Sequence, residues 1–464
     1  MYENYKDLHP IDTARFSTEA IIYNTNPWVP NVPNEGLYSV VFFGKNLVPV
    51  WHTNWRDETL SWHLTCSIHA SLNPSPIVRI KGPEAKKFLM ENMVNNIEKW
   101  EIGTQKHGIM CLDNGLLATH GVILRLGEDE YECWWHSPYI NYAFTLKKYN
   151  AELTDITGKV ALFQLHGPNV RKTLEAASGE DLSDIEYLHF RDGQIDGHKV
   201  RFLRFGMAGT LGFEVHAPAE FASKIYMKIL EAGKPHGIRR IGMVAYRMNH
   251  AEGGYPNAVH SFLSAGILDK GMQEFVNKVS ADSGFQTPME LIGSAGQDIN
   301  KRIFNPFEIG LGRCINWNHE FRGKEALLKY KENKKRDIAT LEWNTEDLVN
   351  IYASQFRRGE EYCEQLEFPG VDTILDGRTV LRNDLILNAE GKEIGISMAR
   401  TQSEYYRVMI SLASLDLEYH EIGTEVYVLH GSPGSKQVKI RAKVAPFPYN
   451  TESELNKYEQ KKLK

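Results

Sequence analysis

The stretch from Arg204 to Val215 reads RFGMAGTLGFEV, and it carries most of the information about the fold. Residues 200–205 and 213–216 on either side alternate apolar and polar side chains, which predicts two β-strands. The glycines between them therefore form a turn in which the backbone can approach another group closely. A purely structural hairpin explains the same pattern equally well, because the stretch matches no phosphate-binding or dinucleotide-binding loop.

Strand–helix units precede and follow this stretch. Residues 76–82, PIVRIKG, alternate as a strand, and Pro83 opens a helix at its first turn. Residues 160–168, VALFQLHGP, repeat the arrangement and lead into a predicted helix over 169–177, which suggests an internal duplication. The dipeptide Asn114-Gly115 predicts a β-hairpin.

The two ends of the chain differ from the middle. Residues 1–45 are rich in Asn and Pro and predict an extended capping segment. The charge-dense run KYKENKKR at 329–336 indicates a domain boundary. The strands expected beyond it, which predict a small antiparallel barrel or sandwich, are 338–343, 385–387, 394–399, 408–413 and 424–429. The predicted fold class is α+β, with a capping segment (1–45), a middle region (46–330) and a β-rich terminal domain (331–464).

Composition excludes several classes of function. The chain has 464 residues with 53 Lys and Arg against 59 Asp and Glu, a net charge of −6 that argues against a nucleic-acid partner. No apolar run is long enough for a bilayer, and no export signal is visible, so we expect no membrane partner and a cytoplasmic protein. The five cysteines form no CxxC pair and the 17 histidines show no ligand spacing, so we expect no metal site.

Four segments, in order, resemble the aminomethyltransferase family, the glycine-cleavage T-protein and its relatives. They are RFGMAGTLGFEV (204–215), AYRMNHAEGG (245–254), NPFEIGLG (305–312) and FRGKEAL (321–327). Within that family, Tyr246 and the run IYAS at 351–354 resemble the tetrahydrofolate-dependent O-demethylases of vanillate and syringate. The resemblance runs from about residue 46 to Tyr449. It implies a three-domain cloverleaf with a folate-binding catalytic region of two α+β domains over 46–330 and a C-terminal antiparallel β-barrel.

The implied reaction moves a methyl group from a methoxy-aromatic substrate to N5 of tetrahydrofolate. The enzyme must align the reacting atoms, exclude water and neutralise the departing oxygen. Tyr246 matches the catalytic tyrosine of the demethylases, and a phenol is a suitable proton partner for a phenolate. The positions that match folate-binding residues of the family are Gln164, Glu214, Glu252 and Tyr255.

The substrate positions depart from the demethylase pattern. A tyrosine, a histidine and an arginine contact the aromatic acid in the vanillate enzymes, and here Val48, the Asn73-Pro74 region and His136 correspond to them. Exchanging a guanidinium for a titratable imidazole weakens the case for a benzoate. With Trp135 beside His136, the sequence predicts a bulkier or uncharged methoxy- or methylenedioxy-aromatic substrate.

Three alternatives remain open at this point. An enzyme of the same fold could transfer methylene from a methylenedioxy-aromatic, or could demethylate an amine or sulfonium compound. A non-catalytic folate-binding or tRNA-modifying relative is a further possibility, but the tRNA-modifying relatives carry a reactive cysteine near the C-terminus and no cysteine here follows Cys363. The sequence does not specify an oligomeric state.

Overall fold

The computed structural model describes residues 38–42, 46–70, 72, 76–258, 260–280, 289–366 and 379–450. Of the predicted capping segment 1–45, only residues 38–42 belong to this part, and they form a strand. None of the described helices is long and apolar enough to cross a membrane.

The strands are, in order, β1 (Tyr38–Phe42), β2 (Asn46–Trp51), β3 (Cys66–Ala70), β4 (Ile77–Lys81), β5 (Thr104–Cys111), β6 (Leu117–Gly127), β7 (Glu130–Trp134), β8 (Glu152–Asp155), β9 (Val160–His166), β10 (Phe190–Ile195), β11 (His198–Leu203), β12 (Gly212–Pro218), β13 (Ile238–Arg240), β14 (Met289–Ile292), β15 (Arg336–Trp343), β16 (Thr379–Arg382), β17 (Asp384–Leu387), β18 (Glu393–Ser403), β19 (Val408–Asp416), β20 (Glu425–His430) and β21 (Val438–Ala445). The α-helices are α1 (Trp55–Leu64), α2 (Ala85–Asn92), α3 (Tyr139–Thr145), α4 (Val170–Ser178), α5 (Ala222–Gly233), α6 (Met243–Gly253), α7 (Lys270–Ser280), α8 (Lys324–Glu332) and α9 (Thr345–Ser354).

A six-stranded sheet has the order β10-β11-β12-β9-β3-β13, antiparallel except for the last pair. Side chains alternate between its two faces, so Phe163 and Val215 point to the face opposite Gln164 and Glu214. Helices α4 and α5 cover the first of these faces, where Leu174 and other apolar residues form a buried core. The other face of the sheet, which carries Gln164 and Glu214, is not covered by these helices and packs against a second sheet.

That second layer is a five-stranded antiparallel sheet with the order β5-β6-β7-β4-β8. The predicted hairpin at Asn114-Gly115 is confirmed, because β5 and β6 pair across it. Gly82 and Gly167 each join a strand to a helix with similar backbone angles, φ 135° and φ 120°, which gives the suggested duplication a structural counterpart. Helices α2 and α3 cover one face of this sheet.

The uncovered faces of the two sheets pack against each other. Leu162 of β9 packs with Ile77 and Leu124 of the five-stranded sheet. Arg201 of β11 donates a hydrogen bond to Glu132 of β7, with 2.9 Å between Nη1 and Oε2. Polar side chains on these two faces are therefore enclosed between the sheets.

The C-terminal strands close into a barrel with the order β15-β19-β18-β17-β20-β21. The predicted antiparallel strands are confirmed. Because the strands close into a ring, the domain is a barrel and not a sandwich. Strand β21 was not predicted, although its VKIRAKVA pattern alternates, and it closes the barrel by pairing with β15.

The glycine-rich segment folds back on its own chain. A Cβ built on Gly206 would lie 2.6 Å from His166 Cδ2 and 2.9 Å from the Gly212 Cα. A Cβ built on Gly253, at the end of α6, would clash with the Met207 carbonyl oxygen. The close backbone approach that the glycines permit is therefore made within the protein at these positions.

Candidate active site

Gln164 and Glu214 form the centre of a buried polar cluster between the sheets. They are direct partners in the register of β9 and β12, so their side chains lie together on the inner face. Gln164 Nε2 donates to Glu214 Oε1 at 2.7 Å. Because Phe213 and Val215 hold the strand from the opposite face, Glu214 cannot turn to solvent without disrupting the core.

His69 extends this cluster and was missed in the sequence. It pairs with Gln164 in the register of β3 and β9, and its Nε2–H donates to Gln164 Oε1 at 2.9 Å. Burial lowers the pKa of His69 to about 3, while the hydrogen bond with Gln164 opposes the shift. The imidazole is therefore neutral near pH 7. The Asn73-Pro74 region, which was expected to supply a histidine equivalent, lies outside the described residues.

Tyr246 of α6 stands next to His69. The two rings meet edge to face with 4.9 Å between centroids, and His250 packs on Tyr246 at 4.7 Å. Burial raises the pKa of Tyr246 and so does nearby Glu214, whereas a hydrogen bond with the Asn257 side chain lowers it. Tyr246 is linked to Glu214 through His69 and Gln164, and the Tyr246 hydroxyl keeps its proton at neutral pH.

The opposite end of the cluster contacts the second sheet. His216 Nε2–H donates to Glu214 Oε2 at 2.9 Å. The indole of Trp134 stacks on the His216 imidazole with 4.5 Å between ring centroids. The sequence predicts Trp135 as a substrate-binding aromatic, and this stays a prediction. Trp134, one residue earlier, is the aromatic that stacks on His216.

The residues present fit a reduced folate. A carboxyl group beside a carboxamide can face the amide-like edge and the amino group of a pterin. Polar atoms of the cluster also lack hydrogen-bond partners within the described part of the chain, namely His69 Nδ1, His166 Nδ1 and His216 Nδ1. Buried polar atoms usually find a partner in protein, water or ligand.

Tyr255 lies just after α6, beside the glycine-rich segment. Its backbone N–H donates to the His250 carbonyl at 2.8 Å, and its half-buried ring packs edge to face on Phe205 with 6.4 Å between centroids. A folate-binding role for Tyr255 stays a prediction.

Glu252 occupies a different place. Its Oε2 accepts hydrogen bonds from Trp62 Nε1 at 2.9 Å and from His63 Nε2 at 2.8 Å, and the His63 ring stacks on Tyr405 of the barrel. These contacts join α1, α6 and the barrel, and they do not bring Glu252 to Tyr246. Its Oε1 is buried without a hydrogen-bond partner among the described residues. A folate-binding role for Glu252 stays a prediction.

The predicted substrate residues are also spread out. His136 Nε2–H donates to the Gly108 carbonyl at 2.9 Å, and its ring lies over Gly108 and Gly121 on the helix-covered side of the five-stranded sheet. Burial lowers the pKa of His136 to about 4. Trp135 is half-buried and has φ 71°, directly after the end of β7. Val48 belongs to β2, but its side chain lies outside the described residues.

Comparisons with known proteins agree with this architecture. The GCVT N-terminal domain matches residues 33–278. The chain is 35% identical over 423 residues to a sesamin methylene transferase of Sinomonas sp., covering 90% of this chain and 93% of that protein. It is 28% identical over 426 residues to a syringate O-demethylase of Sphingobium sp., covering 87% and 90%. The crystal structure of aminomethyltransferase T from Bartonella henselae superposes with a TM-score of 0.64 at 15% identity, covering 90% and 96% of the two chains.

The fold and the enclosed cluster thus define a one-carbon transferase. The chain belongs to the GCVT aminomethyltransferase family, as its resemblance implied. The expected fold class, the enzyme class and tetrahydrofolate as cofactor are confirmed.

Histidines of the site stay neutral in the folded protein, so we expect the folded protein to be less stable at acidic pH. Burial holds the pKa of His69 near 3 and that of His250 near 4, against an ordinary value of 6.5. Below pH 6.5 these histidines bind protons in the unfolded chain but not in the folded chain. The free energy of unfolding therefore falls as the pH drops toward 4. Each such histidine costs about 1.4 kcal/mol per pH unit in this window. Burial raises the pKa of Glu58 to about 7 and also raises the pKa of Glu308, and these two groups act with the opposite sign. The buried histidines whose pKa is lowered outnumber them.

Denaturant unfolding at pH 7.5, 6.0 and 5.0 measures this effect. We expect the midpoint to fall with pH, and we expect His69→Gln to reduce the slope of stability against pH. His198→Gln, a half-buried position at the start of β11, serves as the control and should keep the wild-type slope. A midpoint that does not change between pH 7.5 and 5.0 would contradict the assignment of neutral histidines.

Proposed function

We propose that this enzyme is an O-demethylase that moves the methyl group of a methoxy-aromatic compound to N5 of tetrahydrofolate. The observation that carries the proposal is the continuous set of buried contacts that joins Tyr246 to Glu214 through His69 and Gln164. When bound, tetrahydrofolate supplies the nucleophilic nitrogen that accepts the carbon. The chain itself has to hold the pterin, exclude water and bring a proton to the departing oxygen.

Tyr246 is the residue that we assign to the proton. Its raised pKa keeps the hydroxyl protonated, so it can donate a hydrogen bond to the oxygen as negative charge develops there. Because the phenol of Tyr246 is a weaker acid than the phenol that leaves, Tyr246 is protonated again at the end of the reaction. Tyr246 therefore acts as a relay and donor, with Asn257 fixing the position of its oxygen.

We propose further that the preferred substrate is an uncharged aromatic. The imidazoles of His69 and His136 are neutral near pH 7 because burial lowers the pKa of each, so neither provides a cation for a benzoate. Arg247 is the cation whose charge acts on Tyr246 and His250. A strong preference for vanillate over neutral methoxyphenols would contradict this part and would direct attention to Arg247.

A second candidate is methylene transfer from a methylenedioxy-aromatic. It is supported by the 35% identity to the sesamin methylene transferase, against 28% to the syringate O-demethylase. Both reactions leave an aromatic oxygen that needs a proton, so the same role of Tyr246 serves either. The folate product separates them, as 5-methyl- or 5,10-methylene-tetrahydrofolate.

The test is incubation of the enzyme with tetrahydrofolate and a panel of aromatic ethers, with the folate product identified by mass. The panel contains vanillate, neutral methoxyphenols and methylenedioxybenzenes, each with an enzyme-free control. We expect a methyl-sized gain on the folate with a neutral methoxyphenol. Gain of one carbon solely from methylenedioxy compounds would favour the second candidate, and no gain from any ether would refute both.

A further inference from the structure

Glu58 is a buried carboxyl group to which the proposed reaction assigns no role. It belongs to α1, and the residue is fully buried. Its Oε1 accepts hydrogen bonds from the backbone N–H groups of His52 and Thr53, in the turn that leads from β2 into α1, the second of them at 3.0 Å. Its Oε2 accepts from the Gly242 N–H at 2.8 Å. Three backbone donors therefore converge on one carboxyl group.

Gly242 is the residue at which the helix of Tyr246 begins. It is the N-cap of α6, and it has no side chain that could accept from the amide groups of the first turn. The Tyr246 N–H donates to the Gly242 carbonyl at 2.9 Å, so Tyr246 lies one turn from the residue that Glu58 holds. A Cβ built on Gly242 would clash with the Val50 carbonyl oxygen, so the end of β2 lies directly against this helix terminus. A displacement of Gly242 therefore moves the first turn of α6 and Tyr246 with it.

Helix α1 holds α6 at both of its ends. Trp62 and His63 of α1 donate to Glu252 near the C-terminal end of α6. Glu58 accepts from the N-terminal end, which is the end that carries Tyr246. Apolar side chains of the two helices share one buried core between these contacts. The contact at Glu58 differs from this packing because its strength depends on the charge of one carboxyl group.

Protonation of Glu58 weakens its three hydrogen bonds. All three partners are donors, so an ionised carboxylate, which only accepts, suits them better than a carboxyl group that carries a hydrogen itself. Burial raises the pKa of Glu58 to about 7, although the hydrogen bonds from Gly242, Thr53 and His52 lower it. The carboxylate that binds Gly242 most strongly therefore predominates above neutral pH.

Neighbouring charged groups do not neutralise Glu58. Asp57 precedes it on α1, and the charge of Asp57 raises the pKa of Glu58. Arg239 of β13 pairs with Asp57 instead, with 2.9 Å between Nε and Oδ2. His52 in the turn and Arg240 at the end of β13 are the other titratable groups on these elements, and the first turn of α6 has no charged residue. Within the described part of the chain, Glu58 makes no ion pair, so backbone dipoles hold its charge.

We propose that Glu58 is a positioning residue for Tyr246, because its ionised carboxylate holds Gly242 and thereby the first turn of α6. The inference rests on the proposed role of Tyr246 in turnover. Loss of the negative charge releases the N-terminal end of α6. Gln164 and Glu214 lie on β9 and β12 and take no part in this contact, so the affinity for tetrahydrofolate is independent of it.

The test is the pH profile of single-turnover kinetics on the full-length enzyme between pH 6 and 8. The probes are saturating tetrahydrofolate and 1,2-dimethoxybenzene, which has no ionisable group. We expect the wild-type rate to rise about tenfold across this window, with a midpoint near pH 7. The pKa of His69 is near 3 and that of His250 near 4, so these neighbours of Tyr246 give no step in the same window.

Glu58→Gln removes the charge and resembles the protonated carboxyl group at every pH. We expect this variant to lose the step, to react about tenfold more slowly than wild type at pH 8, and to keep the wild-type Kd for tetrahydrofolate. Glu308→Gln is the matched control. Burial also raises the pKa of Glu308, and its Oε2 accepts from the Asn305 N–H at 3.0 Å. The Glu308 variant should keep the step near pH 7.

Amide hydrogen exchange of the peptide that contains Gly242 provides a readout without turnover. After correction for the intrinsic effect of pH on exchange, the wild-type peptide should be better protected at pH 8 than at pH 6. In Glu58→Gln the protection should be equally low at both pH values. This measurement applies to the wild type alone if the variant does not fold.

The outcomes separate the inference from the function on which it rests. A wild-type rate without a step between pH 6 and 8 overturns the inference, and so does a step that persists in Glu58→Gln. Parallel loss of turnover and of tetrahydrofolate affinity in this variant means that Glu58 only supports the fold, which overturns it as well. Absence of turnover in the wild type with every aromatic ether would instead contradict the proposed function. In that case, equal protection of the wild-type peptide at pH 6 and 8 would overturn the inference separately.

Discussion

Replacing Tyr246 by phenylalanine is expected to lower turnover by about a hundredfold to ten-thousandfold, the range typical of losing a positioned proton donor. The ring stays in place between His69 and His250, and only the hydroxyl is removed. The affinity for tetrahydrofolate should change little, since Gln164 and Glu214 are untouched. Single-turnover kinetics with saturating tetrahydrofolate and a methoxyphenol measures the effect.

Tyr131→Phe is the matched control for this variant. Tyr131 is also buried and its hydroxyl donates to the Glu128 carbonyl at 3.1 Å, but it packs in the helix-covered core of the five-stranded sheet. We expect this variant to turn over at the wild-type rate. If Tyr246→Phe retains full turnover while it folds and binds tetrahydrofolate normally, Tyr246 has no role in the proton transfer.

Replacing Glu214 by glutamine is expected to cost about 1.5–3 kcal/mol of tetrahydrofolate binding, or roughly a ten- to hundredfold higher Kd. The amide is nearly isosteric with the carboxyl group, so the packing of β12 is preserved. However, an NH2 group now replaces one acceptor that serves Gln164, His216 or the pterin. Isothermal titration with tetrahydrofolate reports the change directly.

Glu152→Gln provides the control, because Glu152 is exposed on the edge strand β8. Its Kd for tetrahydrofolate should equal that of the wild type. Thermal unfolding of both variants tests whether a general loss of stability explains any difference. An unchanged Kd in Glu214→Gln would mean that the pterin does not rest on this carboxyl group.

Part of this site could be predicted from the sequence. Glu214 alternates with Phe213 and Val215, so its place on the inner face of a strand is set by the period of two. The hairpin at Asn114-Gly115 is equally local, because the turn residues determine the pairing. Closure of the barrel was not predictable in this way, since β15 pairs with a strand about one hundred residues further along.

The residues that were missed depend on tertiary contacts. His69 was one of 17 scattered histidines, and only the pairing of β3 with β9 places it on Gln164. His136 lies on the helix-covered side of the five-stranded sheet, since the positive φ of Trp135 interrupts the side-chain alternation of β7. Glu252 and Tyr246 share helix α6, yet their side chains contact different neighbours. A linear pattern does not distinguish these faces.

The most direct test of the central claim is a crystal structure of the enzyme with tetrahydrofolate bound. The account predicts the pterin against Gln164 and Glu214, with N5 on the side of the Tyr246 hydroxyl. A pterin bound instead at Glu252, among Trp62 and His63, with the Gln164–Glu214 pair making no contact to it, would contradict the account.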